Sequence, residues 1–468
     1  MDYGQQLSVS PTPIPGMVVV TLPVHGDNRG WFKENWQRTK LIELGLPDFG
    51  PVQNNISFNE KTGTTRGIHA EPWDKYVSVA TGRIFGAWVD LREGKSFGQT
   101  FTLEVDPTVA VFVPRGVGNA FQTLEPNTAY TYLVNDHWRP DTEYTFLNLA
   151  DETANIEWPI PLSDVEVSVK DAEHPRLSEV TPMSALSTVI LGAGGQLGRA
   201  LVEAFPDAIA LNRNEFDLAD DAAYASMNWA TVGTVINASA YTKVDLAETE
   251  NGRHESWQAN VVGVGKLARI CEDHRITLVH VSSDYVFDGE FEGEATEETE
   301  FGPLGVYGQT KAAGDALVSL VSRHFIVRTS WVIGDGNNFV RTMQRLAADG
   351  VNPDVVNDQH GRLTFTSEIA RAIAHFVDHN VPFGTYNVTN SGDVVTWFDI
   401  AREVFSLAGH DPNRVKPITA AQFADRNSSD DRPIAPRPCN SALDLGKLRA
   451  AGFDPEDWRI SMLNQVNE

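Results

Sequence analysis

The chain has 468 residues, 41% of them apolar with 23 Phe and 11 Trp, which excludes a disordered or fibrous protein and leaves room for two or three domains. A formal charge of -26 and a pI near 4.8 argue against nucleic acid as a partner, because a phosphate backbone calls for a basic footprint. The two cysteines, Cys271 and Cys439, suggest neither a disulfide framework nor a cysteine metal site, and without a leader or a membrane-length apolar stretch the expectation is a cytoplasmic protein with no membrane partner.

From about Ile14 to Pro161 short apolar or alternating runs are punctuated by Gly, Pro, Asn and Asp, as in "GMVVVTLPV", "KYVSVATGRIFGAWVDLR", "FTLEVDPTVAVFVPRG" and "TAYTYLVNDHW". That spacing predicts an antiparallel sandwich or barrel over residues 1–170. The polar, proline-marked "KDAEHPRLSEVTPMSALS" reads as a linker, residues 171–187. Over residues 188–468 strand-like runs ("TVIL", "TVINAS", "TLVHVSSDYVF", "HFIVRTSWVI") alternate with helical stretches such as "NVVGVGKLARICEDH". This alternation predicts a doubly wound parallel sheet covered by helices on both faces; the expected fold is a Rossmann-type unit with a smaller substrate-binding lobe. The acidic "DGEFEGEATEETEFGP" reads as a solvated loop.

In the first half, "RGIHAEPWDKYVSVATG" is followed some distance later by "VPRGVGNAF", and this resembles the two-motif layout of a cupin. The expected fold is therefore an all-β, cupin-like jelly-roll barrel. Metal-binding cupins converge several histidines and a carboxylate on one ion. Here the first motif offers His69 with Glu71 and the second offers Asn119, so no metal is expected. The stretches "DNRGWFKENW", "VQNNIS", "TRGIH", "VDLREGKSFGQ" and "LADETANIEWP", in order over about residues 14 to 162, resemble the dTDP-4-dehydrorhamnose 3,5-epimerases. The resemblance implies that His69 removes protons beside a ketone, Asp151 orients and charges it, and Tyr132 donates from the opposite face. It further implies that Lys75 stabilises the enolate oxygen, while Arg29, Glu34, Gln53, Asn55 and Arg66 hold the nucleotide and its phosphates. The chemistry stands without the name: an α-proton yields to imidazole only if the enolate is stabilised electrostatically, and inversion needs an acid on the other face.

The second half opens with "VILGAGGQLGRA", in which Gly192, Gly195 and Gly198 follow a strand and begin a helix. Backbone N–H groups there can meet a pyrophosphate. "VYGQTK" sets Tyr307 one helical turn before Lys311, so an ammonium can stabilise the phenolate and make Tyr307 a better proton donor to a carbonyl. In "HVSSDYVFDG", Ser283 ends a parallel strand, where open α/β sheets bind ligands. Where NAD-specific units carry an acid after the second strand, this chain has Asn212 and Arg213, and Arg213 can pair with a 2′-phosphate. Alternatively Asp217 accepts the ribose hydroxyls and both cofactors serve.

With "VINASAYTKVDLAE", "VRTSWVIGDGNNFV", "VVNDQHGRLT" and "PRPCNSALD", these motifs resemble the extended short-chain dehydrogenases, and among them the dTDP-4-dehydrorhamnose reductases, over residues 188 to 460. The resemblance implies ketone reduction by Ser283, Tyr307 and Lys311. Val244, Asp284, Tyr285 and Trp331 then line the sugar site, and Gln196, Leu197, Leu218, Ala238, Ala240 and Tyr241 face the cofactor. Together the halves imply a homodimeric, bifunctional enzyme acting on dTDP-sugars with NADPH, NADH being possible. The alternative is a reductase whose barrel is a non-catalytic dimerisation or nucleotide-binding module.

Overall fold

Side chains that alternate in and out along the runs of the first half make antiparallel strands. In the computed structural model, which describes residues 4–137, 144–379, 381–429 and 433–467, these are β1 (Ser8–Pro11), β2 (Val18–Thr21), β3 (Val24–Asp27), β4 (Gly30–Lys33), β5 (Gln53–Asn59), β6 (Thr65–Ala70), β7 (Lys75–Thr81), β8 (Ile84–Asp90), β9 (Thr100–Val105), β10 (Val109–Val113), β11 (Val117–Thr123), β12 (Thr128–Val134) and β13 (Thr145–Phe146). They form one sheet in the order β1-β2-β10-β7-β12-β5 and a second in the order β13-β6-β11-β8-β9, with β3 and β4 a separate hairpin. Val77, Val79, Val111 and Val113 of the first sheet meet Ile84, Trp88, Val117 and Phe121 of the second in one buried core.

The other face of the second sheet is covered by the chain that follows β13, including part of the stretch 171–187 expected to be a linker. Leu147, Leu149, Ala154 and Leu177 pack there against Ile68, Ala87, Val89 and Leu91. Within this cover, Ser168 caps the short helix Val169–Ala172 by accepting from Asp171 N–H. The chain accordingly divides into Met1–Ala185 and Leu186–Glu468, and residues 171–185 belong to the first unit.

In the second unit β14 (Ser187–Leu191), β15 (Ile209–Leu211), β16 (Val232–Asn237), β17 (Thr277–Ser283), β18 (His324–Thr329) and β19 (Gly384–Asn387) pair in parallel in the order β15-β14-β16-β17-β18-β19. Both faces are buried. Val189 and Leu191 of β14 join a core with Val264, Leu267 and Val318, whereas Ile190 joins Leu201, Ile369 and Ile373 on the other side. The order reverses between β14 and β16, which opens a crevice at their C-terminal ends. A separate core of Ile333, Val340, Leu363, Phe365, Ile400 and Trp458 makes a smaller lobe. No helix among the described residues is long and apolar enough to cross a membrane.

Candidate active sites

The first unit holds a cavity of about 690 Å³ lined by Arg66, His69, Glu71, Lys75, Asn119, Tyr132 and Asp171, among others. β6 presents His69 directly opposite Asn119 of β11. His69 Nε2 lies 2.9 Å from Asp171 Oδ1, and the Gly67 N–H donates to Asp171 Oδ2 at 3.3 Å. Asp171 is therefore the carboxylate that orients the imidazole. Asp151 is not: it is buried, its Oδ1 accepts from the N–H groups of Thr153 and Ala154, and its Oδ2 accepts from Leu177 N–H at 2.7 Å. Those three backbone bonds tie Asp151 to its own turn and to Leu177, and none goes to His69.

Lys75 is buried and ion-paired with Glu71, and its Nζ sits 5.7 Å from the centre of the Tyr132 ring. Burial, and secondarily Glu71, raise the Tyr132 phenol above its ordinary range, so it is held protonated. Arg66 donates to Asn59 Oδ1 at 3.2 Å on the cavity wall. Gln53 and Asn55 do not line the cavity; they share the inner face of β5 with Ser57, and Asn55 lies one residue pair, about 7 Å, further along. Arg29 and Glu34 are also outside it, exposed and paired with Asp27 and Lys40.

Sequence reasoning missed Asp171 and the neighbouring His174. The signal was there: Ser168 three residues before Asp171 is a helix N-cap pattern, which a linker does not need. His174 stacks on Phe146 at 4.7 Å and its ring centre is 5.4 Å from that of His69. Burial and the adjacent His69 push it below the usual imidazole range, with Asp171 opposing.

In the second unit the glycine turn leads from β14 into the helix Gln196–Ala204, with Gly195 at its N-cap. Gly192 has φ +82°, and a Cβ there would fall 2.8 Å from Ser239 N; a Cβ on Gly198 would collide with the Gly192 carbonyl. The turn is thus a backbone cradle that side chains would fill, suited to a pyrophosphate. Gln196 and Leu197 are half-buried in the helix's first turn, and Ala238, Ala240 and Tyr241 follow the end of β16, where Tyr241 N–H donates to Asn260 Oδ1. After β15, Arg213 is exposed and pairs with Asp217 at 3.1 Å, while Leu218 is buried in the core.

β17 ends at Ser283, and the helix Val306–Val318 carries Tyr307 and Lys311. A hydrogen bond joins Ser283 and Tyr307, and the Tyr285 ring meets Tyr307 edge-on at 5.4 Å. Burial, and then the charge of Asp284, push the Tyr307 phenol up rather than down. Lys311 is buried: its Nζ donates to the Val281 carbonyl at 2.7 Å and lies 3.3 Å from His280 Nε2. Burial lowers its pKa to about 8. Burial raises Asp284 to about 6, while the hydroxyls of Ser441 and Ser283, which donate to it, pull the other way. Tyr285 bonds Arg437, which pairs with Asp245 at 2.9 Å, a contact that no local motif signalled. Val244 is half-buried beside Asp245, and Trp331 takes φ +48° and stacks on Trp397 at 3.9 Å.

Residues 11–179 match the family model dTDP-4-dehydrorhamnose 3,5-epimerase, and residues 186–468 match the model RmlD substrate binding domain. The first half is 49% identical over 177 residues to a protein RmlC homolog of Streptococcus pyogenes, covering 36% of this chain and 89% of that protein. The second is 39% identical over 289 residues to a dTDP-4-dehydrorhamnose reductase of Mycolicibacterium smegmatis, covering 59% of this chain and 84% of that one. A crystal structure of the Bacillus anthracis dTDP-4-dehydrorhamnose reductase in complex with NADP is similar at 30% identity and a TM-score of 0.55, over 60% of this chain and 99% of that one. The chain belongs to the dTDP-4-dehydrorhamnose 3,5-epimerase family through its first unit and to the RmlD family of dTDP-4-dehydrorhamnose reductases through its second.

Proposed function

We infer that this chain carries both activities of dTDP-L-rhamnose synthesis. The barrel epimerises dTDP-4-dehydro-6-deoxy-D-glucose at C3 and C5, and the second unit reduces the C4 ketone of the product. The observation that carries the reading is that each unit has a complete acid–base set: His69–Asp171 facing Lys75 and Tyr132 in one, and Ser283, Tyr307 and Lys311 in the other. It also speaks against a barrel decayed into a scaffold.

In the first unit His69, held by Asp171, takes the proton beside the ketone. Lys75 places a cation where the enolate oxygen develops, and Tyr132, kept protonated by burial, returns a proton from the other side. Arg66 meets a phosphate, with Asn55 and Gln53 further along the same strand face. In the second unit the Gly192–Gly198 cradle fits the cofactor pyrophosphate, and the nicotinamide supplies the hydride. Ser283 holds the ketone oxygen and Tyr307 gives it a proton. Asp284, Tyr285 and Val244 orient the sugar, with Trp331 at the lobe. The folds are read as cupin-like and Rossmann-type.

NADPH is the preferred cofactor in this reading, through Arg213 and the 2′-phosphate, with NADH weaker by about tenfold because Asp217 already shares the guanidinium. Comparison of kcat/KM for the two cofactors in the parent and in Arg213→Ala checks this; equal values in the parent overturn it. A homodimer is proposed on the exposed Ile56 and Phe58 of edge strand β5 and the exposed Trp31 and Phe32. In such a dimer Arg29 and Glu34 act only by reaching a second copy, and a single-chain mass by light scattering removes both ideas. Free thiols at Cys271 and Cys439 support a cytoplasmic setting.

The test of the whole reading is to incubate the purified chain with dTDP-4-dehydro-6-deoxy-D-glucose and NADPH, with no other enzyme, and to identify the product by NMR. dTDP-L-rhamnose establishes both activities. A 6-deoxy-D-sugar product leaves the reductase alone.

A further inference from the structure

Three potential metal-ligand atoms converge beside the first-unit cavity. His69 Nε2 is 2.9 Å from Asp171 Oδ1, His174 Nε2 is 3.9 Å from the same oxygen, and all three side chains offer a ligand atom within 4.8 Å of one another. Tetrahedral zinc sites with N and O ligands place those atoms about 3.4 Å apart, so side-chain rotations that move the imidazoles by up to about an ångström close this set. His174 is 8% exposed and its ring's hydrogen-bond contact is with the Leu147 backbone; no side chain among the described residues bonds its Nε2.

The surroundings fix the ligands rather than compete for them. Asp171 Oδ2 is occupied by Gly67 N–H, which leaves Oδ1 turned to the two imidazoles. His174 is held by its stack on Phe146, which also meets the His69 ring edge-on at 5.6 Å. His69 remains 36% exposed toward the cavity, so a fourth position is open to water or ligand. Two imidazoles, one carboxylate and an open position suit zinc or cobalt, and do not suit calcium or magnesium, which prefer all-oxygen shells.

We propose that His69, Asp171 and His174 form an inhibitory site for a divalent transition metal, which captures the epimerase base and silences epimerisation while leaving reduction untouched. The inhibition rests on the epimerase reading of the cavity; the metal binding does not. In the dyad His69 Nε2–H donates to Asp171 and Nδ1 carries the lone pair that takes the substrate's proton; a metal on Nε2 leaves the neutral ring's proton on Nδ1, so the occupied site has no base. This site is not the histidine-rich cupin centre that the sequence motifs lack, since His174 lies outside both motifs.

The test uses the chelator-treated full chain. Cobalt chloride is titrated and its visible absorption followed. Zinc chloride is then titrated against two assays: solvent-deuterium uptake into the ketosugar without NADPH, and NADPH oxidation with ketosugar already epimerised. The expected results are saturable one-to-one cobalt binding and zinc inhibition of deuterium uptake alone. In His174→Gln and His174→Ala, uptake without metal stays within about threefold of the parent, while cobalt affinity and zinc sensitivity fall at least about tenfold, a lower limit given that even outer-shell partners cost that much. Cobalt binding undiminished in both variants overturns the site, as does zinc acting equally on the two assays. Cobalt bound as expected in a chain that never exchanges deuterium upholds the site and overturns the epimerase reading instead.

Discussion

Asp151 and Asp171 are both buried carboxylates of the first unit, and they differ in what they accept from. Asp171 has one oxygen on an imidazole, so Asp171→Asn removes the charge that stabilises the imidazolium; the expected loss of deuterium uptake is about 10²-fold or more, with reduction of pre-epimerised ketosugar unchanged. Asp151 binds only backbone N–H groups, so Asp151→Asn is expected to cost about 1.5–3 kcal/mol of stability and to leave the rate per folded molecule nearly intact. Thermal unfolding and the uptake assay, run on both variants, distinguish these roles; a large rate loss in Asp151→Asn alone would return the dyad to Asp151. In the second unit Lys311, lowered to about 8 by burial, sets the alkaline limit of reduction, because Tyr307 is pushed upward and stays protonated. kcat/KM for reduction should fall above about pH 8, and the residual activity of Lys311→Met should lack that limb. Unfolding does not mimic this. Between about 8 and the unfolded lysine's value near 10.4 the unfolded chain binds more protons, so the contribution of Lys311 to stability rises with pH just where activity falls.

Elements carry the site where a local pattern specifies them, and that governs what the sequence disclosed. The glycine turn, the Tyr307–Lys311 helix face and Ser283 at the end of β17 are each set within a few residues, so spacing alone located them. Alternation likewise located strands of the first unit, whereas His69 on β6 was picked out by the two-motif layout and the family resemblance. Asp171 escaped because it reaches His69 across 102 residues, on a one-turn helix in a polar stretch whose apolar content is too thin to show a period. The upward shift of Tyr307 escaped for a related reason: desolvation and Asp284 act through the fold, whereas Lys311, read as its activator, is drawn off to Val281 and His280. The turn itself can be tested as an element. In Gly198→Ala the new methyl meets the Gly192 carbonyl and the helix must lift from the cradle, so NADPH affinity should fall at least about tenfold and the second unit should melt earlier. Deuterium uptake by the barrel should not change. An unchanged NADPH affinity would mean that the cradle does not hold the cofactor.

At the scale of the whole chain there are two compact units, and the acid–base groups proposed for each reaction lie within a single unit: His69, Asp171, Lys75 and Tyr132 in the first, Ser283, Tyr307 and Lys311 in the second. Fusion then fixes equal amounts of the two activities and raises the local concentration of the shared ketosugar, without requiring transfer through a shared site. The consequence can be measured by separating the activities onto different molecules. A chain carrying His69→Ala retains reduction only, and one carrying Tyr307→Phe retains epimerisation only, since each substitution removes a proton-transfer group worth about 10²-fold or more. If the intermediate passes through solution, an equimolar mixture of the two variants converts dTDP-4-dehydro-6-deoxy-D-glucose to dTDP-L-rhamnose. NADPH oxidation then begins with a lag while the ketosugar accumulates and reaches a steady rate close to that of the parent. The lag shortens as total protein rises, because it measures the filling of a free pool. A mixture that stays inactive at every protein concentration, while each variant keeps its own half-reaction, would show instead that the two steps must occur on one chain.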